Sequence, residues 1–531
     1  MELFTEENEG PELAEPFLRE VLGSAGLAVE YVRAEGNTLY LRGENGAEEA
    51  VVDFAGGYGS VLLGHHHPEI SALAHRLITE GTPVHAQFSR HPYANRLANA
   101  LNRILHRELD TDEPYFAIFA NSGAEAVEAA VKHAELDRGM RVEALRAEAA
   151  ELTAAALAAV TAGAATLPEE LAARFELPAD LAPEDRAAAL DAAVTARNAE
   201  STARPPLFLA LEGGFHGKLA ASVQLTHNEG YRAPFRSLAA QARFVPADRL
   251  ERLAEIHAEE RGTLEHLAVV DGRVEVREVE FPVFVAFLVE PIQGEGGIRV
   301  LTEEAAREIQ AFAEAIDCPV LVDEIQSGMG RTGSFLASAP LGLRGDYYTL
   351  AKTLGGGIAK TSVMLVRQAR YRREFEIVHS STFAKDSFSS TIALKVLELL
   401  EAEDGRLYGQ AAERGDALRA MLDSVAADHP DVVAEVRGRG LMQGLEFRDQ
   451  SGSGSPEISG AAQGGLFGYV LAGHLLRAHR VRTFPTASAV NTLRFEPSLY
   501  LSDAEIAQLE AGLRDVCVLL AAEKGEVLVS V

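Results

Sequence analysis

Six short apolar runs, set apart by longer stretches of helical periodicity, constrain this chain more than any other feature. They lie at residues 116–120, 207–211, 283–289, 320–322, 347–350 and 363–366. Runs of that length alternating with helical patterns predict an α/β fold with a mostly parallel sheet covered by helices. In such sheets ligands bind beyond the carboxyl ends of the strands. Several runs end in polar residues: Asn121-Ser122-Gly123, Glu212-Gly213-Gly214-Phe215, Glu290-Pro291 and Asp323-Glu324. Those ends are expected to line one crevice.

At 531 residues the chain is too long for one compact core, so two folded parts are expected. The large domain is assigned to 76–366. Residues 367–531 read as helices with short strands, at 441–447 and 492–495, and form a smaller α+β domain to which 1–75 contribute. Residues 137–206, rich in Ala, Glu and Arg with few large apolar side chains, read as an inserted helical appendage that decorates the surface. The Gly/Ser stretch 449–456 reads as a flexible loop. A net charge of −30 repels phosphate and argues against nucleic acid as a partner. No run of about 18 apolar residues marks a membrane span. The acidic start, residues 1–9, lacks the basic region of a signal peptide, and Cys318 and Cys517 read as packed thiols of a reducing compartment. The expected location is the cytoplasm.

The chemistry concentrates on Lys352. It follows Tyr347-Tyr348-Thr349-Leu350-Ala351 and precedes Gly355-Gly356-Gly357. A lysine at a strand end is placed to be a desolvated amine with a lowered pKa, able to condense with a carbonyl. Asp323 ends the run before it. A lysine and an aspartate at two strand ends are the groups pyridoxal 5'-phosphate (PLP) needs: the lysine holds its aldehyde, and the acid keeps its pyridine nitrogen protonated.

Further motifs support this reading while each has a plainer one. Asn121-Ser122-Gly123-Ala124-Glu125 opens a helix after a strand, where backbone amides can cradle a phosphate, or where Ser122 is an ordinary cap. Phe215-His216-Gly217-Lys218 puts an aromatic ring in a glycine loop, to stack on a planar cofactor or to pack into the core. Glu290 and Glu295 follow a strand, with glycines around Glu295 that let the backbone approach a ligand, or both are simply solvated loop acids. His65-His66-His67-Pro68 has no Cys or acid at ligand spacing nearby, and no metal site is assigned.

Taken together, these motifs resemble the class-III (ornithine/ω-amino-acid type) PLP-dependent aminotransferases of fold type I. The match adds Glu290-Pro291-Ile292-Gln293-Gly294-Glu295, Asp323-Glu324-Ile325-Gln326-Ser327-Gly328, Ser381-Thr382-Phe383 and Arg437-Gly438-Arg439-Gly440, and runs from about Val51 to Glu510 apart from the insertion. The resemblance implies that Lys352 and Asp323 are catalytic. It also implies that Ser122, Gly123, Ala124, Phe215, His216, Glu290 and Gln326 bind the cofactor with them. Thr382 would reach the phosphate of a second subunit, which implies a homodimer with shared active sites. Arg494 would grip a substrate carboxylate, and Glu295 would neutralise it when the substrate has none.

Ile358-Ala359-Lys360-Thr361 and Ala384-Lys385-Asp386-Ser387 depart from the family pattern and put the substrate in question. Lys360 and Lys385 are rival amines off the strand-end position. The expected activity is ping-pong transfer of an amino group between a small-molecule donor and an aldehyde or keto acceptor, with glutamate/2-oxoglutarate on one side. A PLP-dependent aminomutase or isomerase on the same fold is the alternative, and a binding protein without turnover a third. The insertion leaves room for a carrier protein that delivers substrate.

Overall fold

The computed structural model describes residues 14–43, 46–84, 89–178, 181–238 and 241–530; the acidic start, 1–9, lies outside them. Seven strands build the central sheet: β1 (Tyr115–Ala120), β2 (Leu207–Leu211), β3 (Gln241–Val245), β4 (Phe284–Val289), β5 (Val320–Asp323), β6 (Tyr347–Leu350) and β7 (Ser362–Arg367). Their order is β1-β7-β6-β5-β4-β2-β3. Neighbours from β6 to β3 run parallel, and β7 is antiparallel to both β6 and β1. The sheet is thus mostly parallel, as the alternation of runs predicts.

Period-two alternation divides each strand between two cores. Phe208, Ala210, Leu288, Leu321, Tyr347 and Met364 pack with Val127, Ala130 and Ala134 of helix α1 (Gly123–Thr161). Leu209, Phe287, Val320, Val322, Tyr348 and Leu365 belong to the larger core, with helix Pro92–Leu109 and helix α2 (Ser387–Asp428). Fully burying one such side chain contributes about 1.5–3 kcal/mol, and a one-residue slip in any strand would push each row into the core packed for the other.

The N-terminal strands Tyr31–Glu35, Thr38–Arg42 and Glu48–Asp53 form an antiparallel meander. Its last strand pairs in parallel with Val481–Arg482, which joins the two ends of the chain in one sheet. A second antiparallel sheet holds Val433–Arg439, Met442–Phe447, Thr492–Phe495 and Phe484–Pro485. Helices α3 (Phe467–His479) and α4 (Asp503–Ala521) pack against each other and against Val481–Arg482. The Gly/Ser stretch expected to be flexible is a bonded turn: the Gly454 N–H donates to Glu523 Oε1 at 2.7 Å, and Ser455 caps helix Pro456–Gln463.

The appendage differs from its expected form. Asp137 and Arg138 are still buried in the main body, Asp137 accepting from Arg372 Nε at 2.7 Å and Arg138 donating to the Pro282 carbonyl at 2.8 Å. Farther out, α1 joins helices Glu169–Arg174 and Pro183–Thr202, and these pack on a hairpin of Gly262–Val270 and Arg273–Phe281. Leu157, Leu171, Phe175, Leu190, Leu267 and Val274 make a core of their own. The helical stretch is poor in large apolar residues because the hairpin supplies part of its cover. Among the described residues no helix is long and apolar enough to cross a membrane.

Candidate active site

The carboxyl ends of β1, β2, β4, β5 and β6 meet the amino end of β7 around a cavity of about 600 Å³. Ser122, Gly123 and Ala124 line it after β1, and Phe215 and His216 after β2. Glu290 and Glu295 follow β4, Asp323 and Gln326 come at the end of β5, Lys352 follows β6, and residues 357–361 lead into β7. One crevice therefore collects most of the residues singled out in the sequence.

Lys352 stands just beyond β6 with φ of 49°, in the left-handed region that side chains other than glycine rarely adopt. Such strain persists where the surroundings over-determine it, often at functional sites. Burial lowers the Lys352 amine below the usual lysine range, and Arg494 adds to this; Glu496, Glu295 and Asp323 oppose it. The carboxylate of Asp323 is fixed on both sides. Its Oδ2 meets His216 Nδ1 at 2.9 Å, and its Oδ1 accepts from the Thr349 hydroxyl at 3.2 Å and the Ile325 N–H at 3.2 Å. The parallel register places Asp323 beside Thr349. Burial alone would lower the His216 imidazole, but its bond to Asp323 and the charge of Glu290 raise it overall. His216 thus both lines the cavity and holds Asp323.

Glu290 ties two loops together. Its Oε1 accepts from the Phe215 N–H at 2.8 Å and its Oε2 from the Gly294 N–H at 3.1 Å, while burial pushes its carboxyl up to about 7. At the start of α1 a capping box uses the Asn121, Ser122 and Glu125 amides: Glu125 Oε2 accepts the first two at 2.8 and 2.7 Å, and Ser122 Oγ the third at 3.3 Å. The Gly123 and Ala124 amides stand outside that box and border the cavity, where the helix dipole favours an anion. Gly217 must be glycine: its φ is 114°, and a Cβ there would lie 2.7 Å from that of Ala124.

Arg494 is buried, and its guanidinium is closed on Glu295 in a two-pronged pair, Nη1 to Oε1 at 2.6 Å and Nη2 to Oε2. Glu295 lines the cavity and Arg494 lies behind it. Burial would raise the Glu295 carboxyl, yet Arg494 holds it below the usual carboxylate range. Thr382 is exposed and outside the lining of this cavity; its neighbour Ser381 accepts from Asn121 Nδ2 at 2.8 Å. Of the rival amines, Lys360 borders the cavity and Lys385 does not. His65 is held by Asp53, Nε2 to Oδ2 at 2.8 Å.

Some residues at the site escaped the sequence reading. Tyr58, with φ of 56°, stacks on Phe484, and the guanidinium of Arg494 stands 5.0 Å from its ring. Ser60 lines the cavity. The cluster Gly56-Gly57-Tyr58-Gly59 was a signal for both. Glu496 is fully buried, and its Oε1 accepts from Gln326 Nε2 at 2.7 Å. It follows Arg494 by two residues, the spacing that puts two side chains on one face of a strand.

The sequence profile of the family described as aminotransferase class-III matches residues 23–516. The chain belongs to the class-III aminotransferases. A putrescine aminotransferase of Pectobacterium atrosepticum is 26% identical over 491 residues, covering 92% of this chain and 82% of its own length. Among solved structures, an ornithine aminotransferase of Toxoplasma gondii superposes with a TM-score of 0.64 at 20% identity, over 93% of this chain and 92% of its own. A transaminase from the marine bacterium Virgibacillus gives 0.66 at 18% identity, over 93% and 94%. The architecture is that of the PLP-dependent transferases of fold type I. Class-III aminotransferases use PLP, and the donor set fits it. Paired amides suit a phosphate, a desolvated amine an aldehyde, a buried carboxylate a pyridinium, and Phe215 the face of a ring.

Proposed function

We propose that this class-III aminotransferase uses PLP to move an amino group between glutamate/2-oxoglutarate and an amine or aldehyde whose reacting end is remote from any carboxylate. The observation that carries the reading is the convergence of Lys352, with its lowered pKa, and the His216-bound Asp323 on one cavity at the strand ends. When bound, PLP supplies an electron sink for the carbon that carries the amine. The protein's residues do the rest. The amides of Gly123 and Ala124, with Ser122, would hold the phosphate, and Phe215 would cover one ring face. Asp323, kept in place by His216, Thr349 and the Ile325 amide, would keep the pyridine nitrogen protonated. Gln326, whose Nε2 donates to Glu496, would stand near the 3′ oxygen, and Glu290 holds the Phe215 loop against the cavity. The Lys352 Nζ would hold the aldehyde and, once the substrate amine has replaced it there, would be the free amine placed to take a proton from the substrate α-carbon; burial, which lowers its pKa, favours that uncharged form.

Arg494 and Glu295 set the choice of substrate. Closed on each other, as here, they leave no free positive charge for a carboxylate, which suits a diamine such as the putrescine of the Pectobacterium relative's name. For glutamate, Glu295 swings aside and Arg494 takes the carboxylate with the same fork. The exposed Thr382 fits a contact made to a second subunit, and the reading includes a homodimer with shared sites.

The test is the visible spectrum of the PLP-loaded protein before and after L-glutamate, with 2-oxoglutarate measured in parallel. A cofactor band that bleaches as 2-oxoglutarate appears supports the reading. An unchanged band with no 2-oxoglutarate removes glutamate as donor and leaves another amino donor or an aminomutase.

A further inference from the structure

Away from the cavity, two histidines and an aspartate converge where α3 ends against α4. His474 Nε2 lies 2.8 Å and His479 Nε2 3.0 Å from the same oxygen, Asp515 Oδ2. The three ligand atoms all fall within 4.8 Å of one another. We propose that His474, His479 and Asp515 bind one divalent ion of the zinc class.

Helix geometry alone would not bring these rings together. Residues five apart advance about 500° around a helix, so their side chains point roughly 140° apart. The two rings reach Asp515 from different sides of α3, His479 as its last residue before Arg480 turns the chain with φ of 52°. Space for its ring comes from α4: a Cβ on Gly512 would stand 3.2 Å from His479 Cγ. Gly512 precedes Asp515 by three residues and so shares its face of α4. The rings of His474 and His479 end with centroids 5.9 Å apart.

The chemistry of the three donors selects the ion. Two imidazoles and one carboxylate suit Zn²⁺, Co²⁺ or Ni²⁺, whereas Mg²⁺ and Ca²⁺ favour oxygen throughout. Zinc bonds to such ligands run about 2.0–2.2 Å, and a tetrahedron on that scale spaces its donors roughly 3.3–3.6 Å apart. The Asp515 contacts therefore need to open by about half an ångström. The Asp515 side chain is 40% exposed and has room on its open side for that shift, while His474 is 7% exposed. The exposed side leaves a fourth position to water. Asp515 Oδ2 accepts from both rings, so one carboxylate oxygen already faces the two imidazole nitrogens that would share the ion. On binding, each imidazole gives up its Nε2 proton, to solvent or by moving it to Nδ1, and its nitrogen lone pair goes to the ion.

The alternative is a carboxylate capped by two imidazole N–H groups, with no ion. Zinc titration of the chelator-stripped, PLP-loaded, full-length protein decides between them, with Co²⁺ as a spectroscopic probe of a tetrahedral site. The expected result is one Zn²⁺ per chain and a raised Tm. In His479→Gln and in Asp515→Asn, affinity should fall by at least about a hundredfold, more than loss of an outer-shell partner costs. Unchanged turnover in both variants reports that they are folded. No zinc uptake by the wild-type protein, or uptake that both substitutions leave intact, overturns the site.

Discussion

At the scale of single residues, Glu496 governs the amine more than any group the motifs announce. It is the foremost of the charges that hold the Lys352 amine up against the lowering effect of burial. Its one bonded oxygen takes the Gln326 amide, and its Oε2 is a buried atom without a hydrogen-bond partner. Replacing it by Gln keeps the shape and removes the charge, so the Lys352 amine falls further and loses its proton at lower pH. Apoenzyme carrying Glu496→Gln should then take up PLP faster than wild type under mildly acidic conditions, because only the free amine condenses with an aldehyde. Identical pH dependence of loading in the two proteins would show that Glu496 does not set the amine. Lys352 and Asp323 were legible in the sequence because each closes an apolar run. Glu496 was not, since its partner Gln326 is 170 residues away and only folding brings them together.

At the scale of elements, β6 at Tyr347–Leu350 and the strand Thr492–Phe495 have the boundaries that the sequence suggests. Strand β3 was missed because it is an edge strand with only Val245 fully buried, and its pattern looks half polar. The appendage hairpin was missed despite a clear signal. Asp271-Gly272, both at positive φ, is the two-residue turn that matches strand twist, and Val274, Val276 and Val279 alternate with charges beside it. The seam between α1, β6 and the chain after β7 depends on His133, which is fully buried. Its Nδ1 bonds the Tyr347 hydroxyl at 3.0 Å and its Nε2 accepts the Arg372 N–H at 3.0 Å. Burial, with some help from Arg372, lowers the imidazole from 6.5 to about 4. Between those values the unfolded chain binds the proton and the folded one does not. The stability His133 contributes is therefore full above pH 6.5 and is lost as pH falls toward 4, in all about 3 kcal/mol. His133→Gln should flatten the stability curve across that window in denaturant titrations; parallel curves for the two proteins would contradict it.

For the molecule as a whole, the sequence indicated the layered sheet and a separate appendage, but not that the N-terminal meander completes a sheet with Val481–Arg482. Pairing across more than four hundred residues leaves no local pattern to read. The appendage has its own core, so it should lose order independently of the active site. Leu267, fully buried there, is the handle. Leu267→Ala should destabilise the appendage by about 2–5 kcal/mol, the usual cost of such a cavity. Hydrogen exchange should then speed up in Glu169–Arg174, Pro183–Thr202 and the hairpin, while β5 and β6 stay protected and turnover is unchanged. Loss of PLP binding in that variant would mean that the two cores are one.

The helix α1 runs 39 residues, which at 1.5 Å each is about 58 Å, and no residue within it leaves helical geometry. Its first turn borders the cavity and its far end is clasped by Leu171, Leu190 and Leu267. Mechanically it is a shaft fixed in bearings at both ends. One unbroken helix thus carries the appendage core at one end and the turn at Gly123 and Ala124 at the other.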